Sequence, residues 1–307
     1  MKRLLSDERG AAYVEFLISF IPLFFLFMGL VQMALMYGAD LVVQHAASRA
    51  SRAAIVVLDD DPERYDGQAR RDLTDDTGGE DHALGSLVTL LGGGGIPGGG
   101  GGSSASGPGG ARMAAIRAAA SGPLLAVSPS MQQLTGPTSV MAAIDSPMQR
   151  AVMGQSVYNR AAMAVTFPRA PGATEYRDTF ESAASAPNLQ LTTRVTYLFA
   201  CSVPLASRLM CESYPTLRLG PAAAIAEALI DSLGSGSASP ESVMAELERL
   251  DNTRRRYEES QPALEELDRA AAGDMMYLTW ATGARFKVLR GEVTLPLQST
   301  RYRYPSE

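Results

Sequence analysis

The chain has 307 residues, 46% of them hydrophobic and 20% charged, and carries a formal net charge of −6. That acidic balance argues against nucleic acid as a partner, because phosphate binding needs clustered positive charge. The two cysteines, Cys201 and Cys211, have neither His45 nor His82 near them in sequence, so no metal site and no cofactor is expected.

The first element is apolar. No residue from Phe16 to Ala39 carries a charge, and about 20 apolar residues at 1.5 Å rise cross a 30 Å hydrocarbon layer. The stretch Ala11–Tyr37 is therefore long enough to span a membrane. Secretory signals have apolar cores of about 7–15 residues followed by a small-residue cleavage site. Here the run is longer, and no Ala-x-Ala boundary follows before charged residues resume. A retained transmembrane helix is the reading. Lys2, Arg3 and Arg9 precede it, which places the short N-terminal tail in the cytoplasm and the bulk of the chain across the membrane. Arg49 and Arg52, on the far side, oppose that bias.

Glu15 does not suit a plain anchor. A carboxylate one turn inside an apolar run is costly unless it is paired or lies at the interface. One reading is a glutamate snorkelling to the interface. Its surroundings offer another, because Gly10-Ala11-Ala12-Tyr13-Val14-Glu15-Phe16 resembles the processing site of type IV prepilins. In those proteins a membrane aspartyl peptidase cuts after the glycine, and the apolar helix stays attached.

Beyond the apolar run, the string Gln44-x-Ala46-Ala47-x-Arg49-Ala50-x-Arg52-Ala53 narrows the likeness. Together with Arg9-Gly10 and Val14-Glu15-Phe16 it resembles the TadE-like family, pseudopilins of tight-adherence (Tad) pilus systems. Tyr13 and Leu17 depart from the family, which often has smaller residues there. The resemblance implies a leader over residues 1–10, a cut between Gly10 and Ala11, and subunit docking through Glu15 and Phe16. It implies a non-enzymatic minor pseudopilin that helps initiate or assemble a Tad (type IVc-like) pilus. It also implies a place in the bacterial inner membrane, with the bulk of the chain periplasmic. The partners implied are a prepilin peptidase, the major pilin, other minor pseudopilins, the inner-membrane assembly platform and membrane lipid. The alternative is a single-pass, membrane-anchored binding or sensor module that never joins a filament.

The helix is expected to run to about Leu58. Leu41, Val42, Ala46, Ala50, Ala53 and Val57 fall near one stripe. Pro22 lies inside it, where the ring removes a backbone hydrogen bond and should kink it. Small residues along one face suit packing beside copies of the same helix. Residues 59–110 read as an acidic and then glycine-rich linker. Its glycines lack the Gly-Lys-Ser/Thr ending of a phosphate-binding loop.

Residues 111–307 are expected to form an exported α+β domain with antiparallel strands. Helices are expected at 111–121, 145–158, 221–233 and from Pro240 to about Ser260, where Pro262 either ends the helix or starts a second one to about Ala272. Val243, Leu247, Leu250 and Tyr257 make fewer than three clean heptads, which favours a helix lying on its own domain. Strands are expected at Ala162–Phe167, Leu189–Val203 and Arg285–Leu297, and an ordered tail at 302–305. The string Asp231-Ser232-Leu233-Gly234-Ser235 lacks an oxygen ligand at its middle position and is not a metal-binding adhesion motif. No Gly-x-Ser-x-Gly or His-Glu-x-x-His pattern is present. Export to an oxidising compartment favours a Cys201–Cys211 disulfide over two buried thiols. Closing so short a loop is worth about 2–3 kcal/mol.

Overall fold

The computed structural model describes residues 8–65, 67–68, 110–129, 158–159, 162–173, 190–220, 254–255, 257–258, 261–267 and 284–296. The expected glycine-rich stretch, the helix at 221–233, the string at 231–235 and the tail at 302–305 lie outside these residues, as do most of the helices at 145–158 and 240–260.

Helix α1 runs from Glu8 to Asp59 with Pro22 inside it. A 3₁₀ turn, Pro62–Tyr65, follows. Helix α2 spans Gly110–Leu124, strand β1 Met163–Thr166 and strand β2 Gln190–Cys201. A short helix α3, Ala206–Met210, leads into strand β3, Glu212–Ser213, and helix α4, Tyr214–Leu219. Residues 261–267 are helical, and strand β4 covers Arg285–Pro296. The strands form one antiparallel sheet in the order β1-β2-β4-β3. The fold is α+β, as expected, with a single long N-terminal helix. Where one or two strands were expected at 285–297, β4 is one continuous strand paired with β2 along its whole length.

The two ends of α1 meet different surroundings. From Glu15 through Leu30 its side chains are exposed or half-buried. Beyond that, Gln32, Ala39, Val43, Ala46, Ala47, Ala50, Ala54 and Leu58 are fully buried. Their spacing keeps them on one helical face, and that face packs on α2, β2 and β4. The buried face is rotated from the expected stripe, for Leu41 is exposed and Val43 takes its place. The alanines are therefore covered by the chain's own sheet and α2 rather than left for a second copy of the helix.

Their small size has a direct consequence at Gly291. A Cβ at that position would lie 2.7 Å from the Val43 carbonyl oxygen and 2.9 Å from the Gln44 nitrogen. Strand β4 thus touches the backbone of α1, an approach only glycine allows. Gly291 pairs with Val195 across the ladder, so both face α1 while their neighbours face the opposite side of the sheet.

The far end of α1 is closed by a residue from another helix. Helix termini leave their last carbonyls unpartnered, and α1 has no basic residue in its last turn. Arg112 of α2, fully buried, donates to the carbonyl oxygens of Val57, of Asp60 at 3.0 Å and of Gln68 at 3.2 Å. Its guanidinium lies 4.6 Å from the centre of the Tyr65 ring. A cation here also suits the negative end of the helix dipole.

Candidate functional site

The sequence-predicted processing, docking and kink residues fall on the N-terminal arm of α1, which is uncovered from Glu15 to Leu30. Gly10 and Ala11 lie within the helical backbone of α1. Glu15 and Phe16 are exposed at the start of the described side chains. Phe16, Phe20 and Phe24 stack along one edge, with ring centres 5.4 Å and 5.8 Å apart. Pro22 is exposed and lies within the single span of α1. Ile18, Leu23, Leu26 and Phe27 are likewise exposed to more than half of their surface. A contiguous apolar patch of this size on a folded chain marks an interaction surface. The helix is long and apolar enough to cross a membrane.

The arm ends at Gln32. It is the only amide between Phe16 and Ala39, and it is fully buried. Its Oε1 accepts from the Val203 N–H at 3.1 Å, and its Nε2 donates to Cys211 Sγ at 4.0 Å. Both partners belong to the loop closed by the Cys201–Cys211 disulfide, whose Cα atoms are 6.6 Å apart. A buried amide needs such partners, since an unmade hydrogen bond in an apolar setting costs about 1–3 kcal/mol. Without the loop, Gln32 would be an unsatisfied amide in the middle of an apolar run. The disulfide therefore holds the loop that receives the end of the arm.

Within this loop Leu205 has φ of 66° and ψ of −52°, and the Ala206 N–H donates to the Pro204 carbonyl at 2.8 Å. That is a γ-turn in the conformation rarely adopted by side-chain-bearing residues.

A second polar cluster lies on the opposite face of the sheet. Arg194 of β2 and Glu266 of the 261–267 helix are both buried, 2.9 Å apart. Arg194 also bonds Glu292 of β4 at 3.2 Å and donates to the Ala173 carbonyl at 2.8 Å. Thr196 donates to Glu266, and Arg290 approaches it at 3.5 Å. Burial alone lowers the pKa of the Arg194 guanidinium, but the hydrogen bonds and charges of Glu266 and Glu292 outweigh it and raise it. The cluster ties helix 261–267 to β2 and β4.

On the α1 side, Tyr158 donates to the Leu198 carbonyl, and Tyr197 bonds Ser128 at 3.0 Å. Burial raises both phenol pKa values, Tyr158's further by the neighbouring Tyr197 charge and Tyr197's against the opposing Ser128 hydrogen bond. Among the described residues no group of three His, Cys, Asp or Glu side chains converges as a metal site.

Sequence reasoning located the arm and the cysteines but missed what joins them. Gln32 carried a signal, as a lone amide in an apolar stretch. Arg194, Glu266 and Glu292 carried none, since their partners are 98 and 72 residues apart.

Residues 10–52 match the family model described as TadE-like protein. The match begins at Gly10, takes in the whole apolar arm and Gln32, and ends within the buried half of α1. No curated protein and no solved structure matches the chain.

Proposed function

We propose that this chain is a membrane-anchored minor pseudopilin that helps initiate or assemble a Tad-type pilus. In this reading a prepilin peptidase removes residues 1–10, and Ala11 becomes the mature N-terminus. The arm then sits in the inner membrane with the α+β domain on the periplasmic side. The observation that carries the proposal is the division of α1. One helix begins beside a prepilin-like Gly10, stays uncovered from Glu15 to Leu30 within the TadE-like segment, and enters the domain core from Gln32 onward. A soluble core helix would be covered along its length. An anchor on a flexible tether would not be built into the sheet. A rigid continuation from membrane to core suits a subunit that is lifted out of the bilayer as one body and docks through its arm.

The test is N-terminal sequencing of the membrane-extracted protein co-expressed with a cognate prepilin peptidase. The expected N-terminus is Ala11, and Gly10→Arg should leave the precursor uncut. A mature N-terminus beyond Tyr37 would establish a secretory signal and end the proposal.

A further inference from the structure

The loop that grips Gln32 carries apolar side chains of its own that stand exposed. Leu205 is 45% exposed and Leu209 69% exposed. They stand four residues apart, Leu205 at the head of α3 and Leu209 within it. Pro204 and Arg208 beside them are exposed as well. The γ-turn at Leu205 holds an unfavourable backbone conformation with the side chain outward rather than folded onto the core.

Depth along α1 says what lies against this face. Gln32 is bonded to Val203, so the loop sits level with Gln32. From Ala11 to Gln32 the helix rises roughly 30 Å at 1.5 Å per residue, which is the thickness of the hydrocarbon layer. If the arm fills the bilayer, the loop meets its periplasmic boundary. Two leucines and a proline that can enter the acyl region, flanked by an arginine able to reach phosphates, fit an interfacial anchor.

We infer that the disulfide-closed loop 202–210 docks on the periplasmic surface of the bilayer, burying Leu205 and Leu209 among the upper acyl carbons. The inference rests on the membrane-anchored reading above. It makes the loop a depth stop that sets how far α1 enters the membrane and holds the domain against the surface.

The test uses the full chain, one copy per nanodisc of phosphatidylcholine and phosphatidylglycerol, with Trp280, the sole tryptophan, replaced as Trp280→Phe. Single tryptophans are then introduced as Leu209→Trp, Phe27→Trp in the arm and Val56→Trp on the exposed distal face of α1. In lipid brominated at the upper acyl carbons, Leu209→Trp should lose about half of its emission, as expected of a side chain about 5–10 Å into the boundary. Val56→Trp should lose none. The melting transition of each variant, matched to that of Trp280→Phe alone, checks that it is folded. Quenching of Phe27→Trp without quenching of Leu209→Trp would overturn the docking and leave the anchor standing. No quenching of Phe27→Trp would overturn the anchor, and the docking with it. Leu209→Trp unquenched in single-copy discs, yet shielded from acrylamide when chains associate, would assign the face to a protein neighbour and overturn the inference equally.

Discussion

Replacing Gly291 by alanine adds one methyl group where the structure has no room for it. The new Cβ would meet the Val43 carbonyl oxygen at 2.7 Å, its carbon at 2.8 Å and the Gln44 nitrogen at 2.9 Å. Ordinary van der Waals contact begins near 3.4 Å, so β4 and α1 must separate by several tenths of an ångström. All three obstacles are backbone atoms of a helix, and no rotamer change relieves them. The strain spreads along the alanine face from Ala39 to Ala54, where dispersion contacts depend on close approach. Overpacking of this kind costs about 1–3 kcal/mol, offset by about 0.4–1 kcal/mol from the less flexible unfolded chain. A net loss of about 1–2 kcal/mol lowers Tm by about 2–8 °C for a domain of this size. Thermal melts by circular dichroism in detergent would read it, with Gly38→Ala as control, because nothing lies within 4 Å of a Cβ there. Gly291→Val should cost more than Gly291→Ala. A Gly291→Ala protein melting with or above wild type would refute the claim that the sheet rests on the α1 backbone.

Four further outcomes follow from the same contacts. Glu266→Gln should destabilise by about 1–3 kcal/mol, because Arg194 loses its nearest carboxylate charge while Glu292 and the Ala173 carbonyl remain; urea unfolding measures it, and no measurable loss would place the pair in water. The raised phenol pKa values of Tyr158 and Tyr197 give stability that is complete below the ordinary tyrosine value of 10.0 and declines as pH rises above it. There the unfolded chain releases protons that the folded chain retains, so Tyr158→Phe should flatten the alkaline slope of the urea midpoint. Reducing the Cys201–Cys211 bridge should cost about 3 kcal/mol and expose the Val203 amide to faster hydrogen exchange, whereas unchanged exchange would mean that Gln32 alone holds the loop. Glu15→Gln should still insert and be cut after Gly10 yet fail to co-purify with the major pilin, since a carboxylate at membrane depth wants a cationic partner; normal piliation would leave it a snorkelling glutamate.

Local patterns were enough for the parts whose physics is local. An uncharged run long enough for a bilayer, a glycine five residues before a glutamate, an alternating β-branched strand at 189–203 and two cysteines ten residues apart could each be read without a partner. So could α1, because a helix closes its own hydrogen bonds. Which face of α1 is buried could not, since alanines occur on several of its faces and only the approach of β4 at Gly291 selects one. Gln32 is a lone amide in an apolar run, and only the folded disulfide loop supplies its donor and acceptor. Arg112 looked like one more arginine of a helix until its fold placed it over the open carbonyls at the end of another. Arg194, Glu266 and Glu292 are ordinary surface residue types, and burial became tolerable only when sheet register brought the opposite charges together. The uncovered arm was legible as composition. That it is continuous with the core, and that a leucine-bearing loop marks where it ends, was decided by long-range packing, which no window of sequence contains.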